Sequence, residues 1–412
     1  MTTSAPLLAE PSFRTLFVAR TVSVAGSAVA PVAIAFAVLG SPGLGAGDLG
    51  VVLAARAAGQ VAFLLYGGVL ADRLSRGRLM LATELLAGVA QGGLAAAVLS
   101  GHPPVPLMAA LAAVGGAAAG VFLPAIRGAL PQVVRTERLQ QANALLRISD
   151  NVVGIGGALA AGLLVTALGA GTALLVDAAT FMIAGIWLWR LRSLPPAGGS
   201  DAERHRWFAD VRQGWSAFLA RRWLVAVVLQ FAAVNACLAA LSVLGPLVAQ
   251  ARMGGALGWS AILAAQAAGF LLGSLLALRL SAHRPVRAAV LATFGFVPPF
   301  VLLATGAPVA VVAVSALLGG LCQDVFSVLW ATALQIHVPD DVLSRIVAFD
   351  TLGSFAVGPP AIALAGPLAE TYGPEPVLAA AAAVMVLATA TALAVPAVRQ
   401  LPARPQPVPV LS

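Results

Sequence analysis

Charged side chains lie inside stretches that are otherwise almost wholly apolar, and the candidates among them are Arg20, Arg56, Glu84, Asp150, Asp177, Asp324 and Asp350. Charge in such a setting is costly, and it marks a candidate site by default. A carboxylate placed there can take up and release a proton, and a guanidinium can pair with it. Arg56 falls about eight residues into its apolar run, or about 12 Å at 1.5 Å per residue. At that depth a cavity-facing role or an ion pair is expected. Arg20 is shallower, and snorkelling out of the run is an equal alternative for it. Asp150 is near mid-depth, with Arg147 three residues away on the same helical face as a local partner. Asp324 is expected near one end of its run. The four histidines are scattered and form no zinc or hydrolase constellation. No catalytic motif is found, so an enzyme is not expected, and neither a metal nor a cofactor is implied.

The elements that must position these groups are long apolar helices. The chain has 412 residues, of which 60% are hydrophobic and only 10% charged, and its mean hydropathy is +0.95. A water-soluble fold cannot hide that much apolar surface, so a polytopic all-α membrane protein is expected. About 20 apolar residues cross a bilayer as a helix. Twelve such spans are read at approximately 14–39, 48–71, 78–100, 105–127, 141–168, 171–192, 222–249, 257–280, 286–305, 308–331, 343–369 and 376–396. The net charge of +8 would suggest nucleic acid in a soluble protein. Here the basic residues, all arginine, are strung between apolar runs, so no nucleic-acid partner is expected. Cys237 and Cys322 fall inside spans and read as small buried residues.

The arginines also give an orientation. With the N-terminus in the cytoplasm, one set of loops holds thirteen arginines, from Arg73, Arg76 and Arg78 through Arg345, and the other holds only Arg252. That is the positive-inside bias of a plasma (inner) membrane protein with both termini cytoplasmic. Residues 193–221 form the one long loop. Trp207, Phe208, Val211, Trp215, Phe218 and Leu219 recur there at helical spacing and suggest an amphipathic helix on the inner membrane surface. The expected organisation is an N-terminal six-helix bundle over 1–192, this linker over 193–221, a C-terminal six-helix bundle over 222–396, and a Pro-rich disordered tail over 397–412.

The two halves repeat. At an offset of 206, "LYGGVLADRLSRGR" faces "LLGSLLALRLSAHR", matching Gly67 with Gly273, Arg73 with Arg279 and Arg78 with Arg284, while Asp72 faces Leu278. An offset of 204 matches Leu130, Gly154 and Gly162 with Leu334, Gly358 and Gly366. Two parallel six-span repeats are a transporter architecture. The stretch "GGVLADRLSRGR" resembles the loop 2–3 signature of the major facilitator superfamily, carried by Gly67, Gly68, Asp72, Arg73, Gly77 and Arg78. "VLWATALQIHVPDDVLSRIVAFDTLGS" and "DAATF" resemble the branch that holds enterobactin exporters and macrolide efflux proteins.

The resemblance implies two pseudo-symmetric six-helix bundles and a gating latch. In the family the loop aspartate faces the start of span 11 when the inner gate is closed, which places Asp72 there and makes Arg127 a charged partner. A carboxylate near a helix N-terminus meets a partial positive charge worth about 0.3–1 kcal/mol. The family also lines its cavity with spans 1, 4, 7 and 10. Span 4 carries no polar side chain, and Asn235 and Gln323 are the best lining candidates on spans 7 and 10. An apolar cavity suits a hydrophobic or amphipathic small molecule. Span 5 has "GIGGALAAG" where antiporters of the family often have Gly-Pro, a departure that weakens the antiporter comparison. "GPPAIALAGP" predicts a kink in span 11. "GAGDLG" at 45–50 matches the G-x-G-x-x-G spacing but follows an apolar span and not a strand, so a dinucleotide site is not expected. Gly88/Gly92, Gly116/Gly120 and Gly269/Gly273 read as close helix packing. The leading expectation is proton-coupled efflux of such a molecule across the bilayer by alternating access. A metabolite importer of the same fold and a non-transporting membrane sensor or scaffold are the alternatives.

Overall fold

The computed structural model describes residues 7–194, 215–216, 218–277, 279–280 and 282–402, and within its helices it leaves out the side chains of residues 65, 68, 69, 71–73, 340, 341 and 344. Trp207, Phe208 and Val211 of the expected surface helix lie outside the described residues, as do the tail beyond 402 and the side chains at Asp72 and Arg73; the start of the tail expected to be disordered is instead the short helix Pro396–Gln400, with Val398 buried.

The described residues are helical, without strands, and twelve helices are long and apolar enough to cross a bilayer. In chain order, spans 1 to 6 are Pro11–Leu39, Ala46–Leu64, Arg76–Leu99, Val105–Val133, Thr136–Leu168 and Ala170–Leu191. Spans 7 to 12 are Arg222–Arg252, Ala256–Ala277, Pro285–Ala304, Val309–His337, Arg345–Tyr372 and Pro374–Ala394. The helix of span 2 continues to Arg73. Spans 4 and 10 run a turn or more past their expected ends. Asp324 is therefore not at the end of its span, as the hydropathy suggested, but in the middle of it.

Prolines shape the helices. Span 1 is two helices, Pro11–Ser27 and Ala30–Leu39, with the break just before Pro31. Span 11 breaks between Phe355 and Gly358, ahead of Pro359 and Pro360, as expected. Span 9 tightens to a 3-10 turn over Thr293–Phe296 before Pro298 and Pro299. In each case the proline ring disfavours helical geometry in the residue before it.

The chain divides into two compact units. The first comprises Met1–Ser200, Ser242–Ala264 and Ile362–Thr371, and the second Asp201–Leu241, Ala265–Ala361 and Tyr372–Ser412. In the first unit, spans 2 and 4 pack backbone to backbone. A Cβ on Gly116 or Gly120 would collide with the carbonyl of Arg56 or Gln60. Small residues let membrane helices approach this closely and gain dispersion contact. In the second unit, Gly269, Gly273 and Gly320 bring spans 8 and 10 together in the same way. The internal repeat seen in the sequence is thus a repeat of packing.

The loop between spans 2 and 3 is fastened within the first unit. Ser75 caps span 3: its hydroxyl receives the Arg78 amide at 3.4 Å and donates to the Leu194 carbonyl at 2.6 Å. Gly77 is buried against Leu191, and Arg76 donates to the Gly128 carbonyl. Arg78 and Arg127 are exposed. In the second unit Phe218 is buried beside Phe349, and Trp215 stacks on Phe218 with ring centroids 5.7 Å apart. This end of the linker thus packs on span 11.

Candidate transport site

Helical spacing gathers the charged residues of the first unit. On span 1, Arg20, Ser23 and Ser27 fall on one face. Arg56 and Gln60 are one turn apart on span 2, as are Asp177 and Phe181 on span 6. Glu84 and Gln91 stand two turns apart on span 3. Together these helices and span 4 enclose a cavity of about 200 Å³. Arg20, Ser23, Arg56, Gln60, Glu84 and Gln91 form its polar wall, and Ala118, Phe122, Leu123 and Phe181 its apolar wall.

Glu84 is 2% exposed. One of its oxygens accepts from the Ser23 hydroxyl at 2.9 Å, and the other meets no protein donor. Asp177 is fully buried behind the polar wall, and neither of its oxygens meets a protein donor in hydrogen-bond geometry. Arg56 supplies the attractive field at Asp177, and the Gln91 amide faces it. Span 1 closes over this carboxylate at Gly26, where a Cβ would collide with Thr180 and press on Asp177.

Arg20 links the cavity to span 5. Its guanidinium donates to Asp150 at 3.2 Å and lies over the Phe122 ring, 5.8 Å from the centroid. Thr21 and Ser149 are hydrogen-bonded beside this pair at 2.7 Å. Asp150 is thus paired across helices and not with Arg147, whose side chain points outward and is exposed. Arg20 does not snorkel either; it is held by its pair.

Five of the sequence-predicted residues therefore form one cluster: Arg20, Arg56, Glu84, Asp150 and Asp177. Three carboxylates face two guanidiniums, so the cluster carries one excess negative charge when all are ionised. A proton or a cationic group balances it, and burying an unbalanced charge in a membrane is costly. The wall contributed by span 4 is apolar, as its sequence suggested. The polar wall comes from spans 1 to 3, and this cavity, inside the first unit, is not the one of spans 1, 4, 7 and 10 that the resemblance implies. Sequence reasoning did not single out Ser23; its signal was a hydroxyl one turn from Arg20.

The remaining candidates belong to the second unit. Asp324 accepts from the Ser274 hydroxyl at 2.7 Å, and Asp350 from the Trp330 indole at 3.1 Å. Asn235 is buried, with its amide nitrogen unpartnered, and Gln323 is half-buried. Gln230, Thr293 and Thr389, all buried, form a triangle of hydrogen bonds of 3.0 to 3.3 Å across spans 7, 9 and 12. Cys237 and Cys322 are free.

Twelve spans in a repeated packing, with buried charge around a mid-helix cavity, define a membrane transporter. The chain belongs to the Major Facilitator Superfamily, whose pattern matches residues 16–361. No curated protein matches it. Among solved structures it is similar to the nucleoside transporter NupG, with a TM-score of 0.75 at 14% identity over 93% of this chain and 98% of that one. A mutant of the same transporter gives a TM-score of 0.77 at 12% identity, over 93% of this chain and 99% of that one. It is also similar to an auto-inhibited POT family peptide transporter, with a TM-score of 0.73 at 14% identity over 94% of this chain and 97% of that one. At such identities the likeness is one of fold.

Proposed function

We propose that this protein is a proton-coupled exporter of a hydrophobic or amphipathic small molecule, working in the plasma membrane with both termini in the cytoplasm. The observation that carries the coupling is the charge cluster. Glu84, on one cavity with Arg20 and Arg56, and Asp177, behind its polar wall, are buried carboxylates with unpartnered oxygens. A proton on one of them balances the cluster. Release of that proton to one side of the membrane, followed by uptake from the other, couples the cycle to the gradient. Asp150 holds Arg20 in place. The apolar wall of Phe122, Leu123 and Phe181 beside the polar one fits a ligand with both characters. On the cytoplasmic face Asp72, with Arg73 and Arg78, acts as the latch of the inner gate. Asp324, Asp350, Asn235 and Gln323 serve the second bundle, Asn235 and Gln323 as lining for the substrate.

The test is accumulation of a panel of dyes, macrolides and siderophores in cells, with and without a protonophore, for the wild type, Glu84→Gln and Asp177→Asn. Lower accumulation in wild-type cells is expected, abolished by the protonophore and by each variant. Equal accumulation with and without the protonophore would refute proton coupling. A second reading, import of a polar metabolite, is favoured by the density of polar groups on the cavity wall, and gradient-driven uptake by the wild type would select it.

A further inference from the structure

The segment "GAGDLG" at 45–50 has glycine spacing that no nucleotide explains, and its neighbours in the structure do explain it. It forms the last loop residue and first turns of the helix Ala46–Arg73, on the membrane face opposite the N-terminus. The second helix of span 11, Gly358–Tyr372, lies against it. Ile362, Gly366 and Glu370 follow one another at intervals of four and share the contacting face. A Cβ on Gly50 would press on the Ile362 carbonyl at 3.0 Å, and one on Gly366 would collide with the Ala46 carbonyl. Glu370 completes the seam: its carboxylate accepts the Gly47 amide at 2.7 Å. Asp48 is turned to the Gly45 amide at 2.9 Å. The start of span 2 is thus capped by one carboxylate of its own and one from span 11.

The sequence repeat sets this seam beside a second one. Gly162, the offset-204 counterpart of Gly366, packs on Ala256 and Ser260 of span 8, and Ala256 is the offset-206 counterpart of Gly50. Both seams lie within the first compact unit, which takes Ser242–Ala264 and Ile362–Thr371 from the second half of the chain. The second seam has no charge, because Thr166 stands where Glu370 stands in the first.

We propose that Glu370 is the latch of the gate on the face opposite the N-terminus. It holds spans 2 and 11 together by capping the N-terminus of span 2, and it lets go when the transporter opens to that side. The first four amides of a helix have no partner inside it, and a carboxylate there meets the positive end of the helix dipole. The glycines let the backbones meet without any side chain having to move aside. Because Glu370 is exposed, the contact is weak enough to break in every turnover and is screened by salt. The inference rests on alternating access in this family and is independent of what is carried, in which direction, or by which ion.

The test uses the full-length protein in lipid nanodiscs, with Cys237→Ala and Cys322→Ala removing the native thiols and Ala46→Cys, at a site 7% exposed, as reporter. The reaction rate with a hydrophilic maleimide reads the open fraction, with neither substrate nor gradient present. Glu370→Gln is expected to raise the rate about twofold to fivefold, the loss of one exposed charged cap. Glu370→Lys should raise it further, and Glu370→Asp least. Gly366→Ala, which wedges the seam at Ala46, should raise it as well. Added salt should speed labelling of the parent reporter protein and leave Glu370→Gln unchanged. Equal rates for the Glu370→Gln, Glu370→Lys and parent proteins would overturn the proposal, even if Gly366→Ala fails to fold. An effect of Gly366→Ala alone would also overturn it, by leaving a seam with no part for Glu370.

Discussion

Replacing Arg20 with glutamine tests how the charge cluster is held together. The Arg20–Asp150 pair is 3.2 Å long, with side chains 22% and 34% exposed. At that separation and an effective dielectric of 20, the attraction is about 5 kcal/mol. Partial solvation returns some of it, so stranding Asp150 should cost about 1–3 kcal/mol, less than breaking a fully buried pair. Asp150→Asn should cost less than Arg20→Gln. The freed Arg20 keeps its place over Phe122 and still faces Glu84, whereas the freed Asp150 has only a hydroxyl pair beside it. The double variant removes both charges and should recover much of the loss. The assay is thermal unfolding of purified protein in a Cys322→Ala background, followed by a thiol-reactive dye that reaches buried Cys237 only on unfolding. The expected order of apparent Tm is wild type, then Asp150→Asn, then Arg20→Gln, with the double variant above Arg20→Gln. Losses that simply add in the double variant would refute the pairing, because residues in contact couple by about 0.5–3 kcal/mol.

Other substitutions probe the scaffold with the same measurement. Trp330→Phe leaves the Asp350 carboxylate without its indole donor and should cost about 1–3 kcal/mol, with Asp350→Asn partly relieving the loss in that background. Gly116→Val drives a side chain into the Arg56 carbonyl, so spans 2 and 4 should separate and folded protein should fall to a small fraction of wild type by size-exclusion chromatography, while Gly154→Val, whose surroundings are open, should not. Gln230→Met should stay within about 1 kcal/mol of wild type, because Thr293 and Thr389 still bond each other and the one unpartnered oxygen of Gln230 is removed.

The twelve spans were legible because a bilayer demands about 20 apolar residues per crossing and leaves little room for other arrangements. The break ahead of Pro359 was read from local sterics, and the one ahead of Pro31, which follows from the same sterics, was seen only in the structure. The arginine asymmetry and the offset repeat are likewise properties of one-dimensional order, and the glycine pairs at 116/120 and 269/273 do in the packing what their spacing announced. Hydropathy failed where it is insensitive. The last turns of span 10 are too polar to score, so Asp324 was read as terminal when it is central.

What only the tertiary structure decided is which helix faces which. Arg147 is nearer to Asp150 in sequence, but its side chain points away, and the partner comes from span 1, 130 residues earlier. Ser23 meets Glu84, and Arg56 faces Asp177, through rotations of spans 1, 2, 3 and 6 that no single helix specifies. Span 4 brings an apolar wall to the cavity of the first unit, and spans 1 to 3 supply its charge. Sequence alone determines that this chain fills a membrane with helices and that it hides charge among them, because both follow from the cost of polar groups in hydrocarbon. The pairing of those charges depends on small residues such as Gly26 and Gly116 setting the distances between helices, and that is a property of the packed bundle.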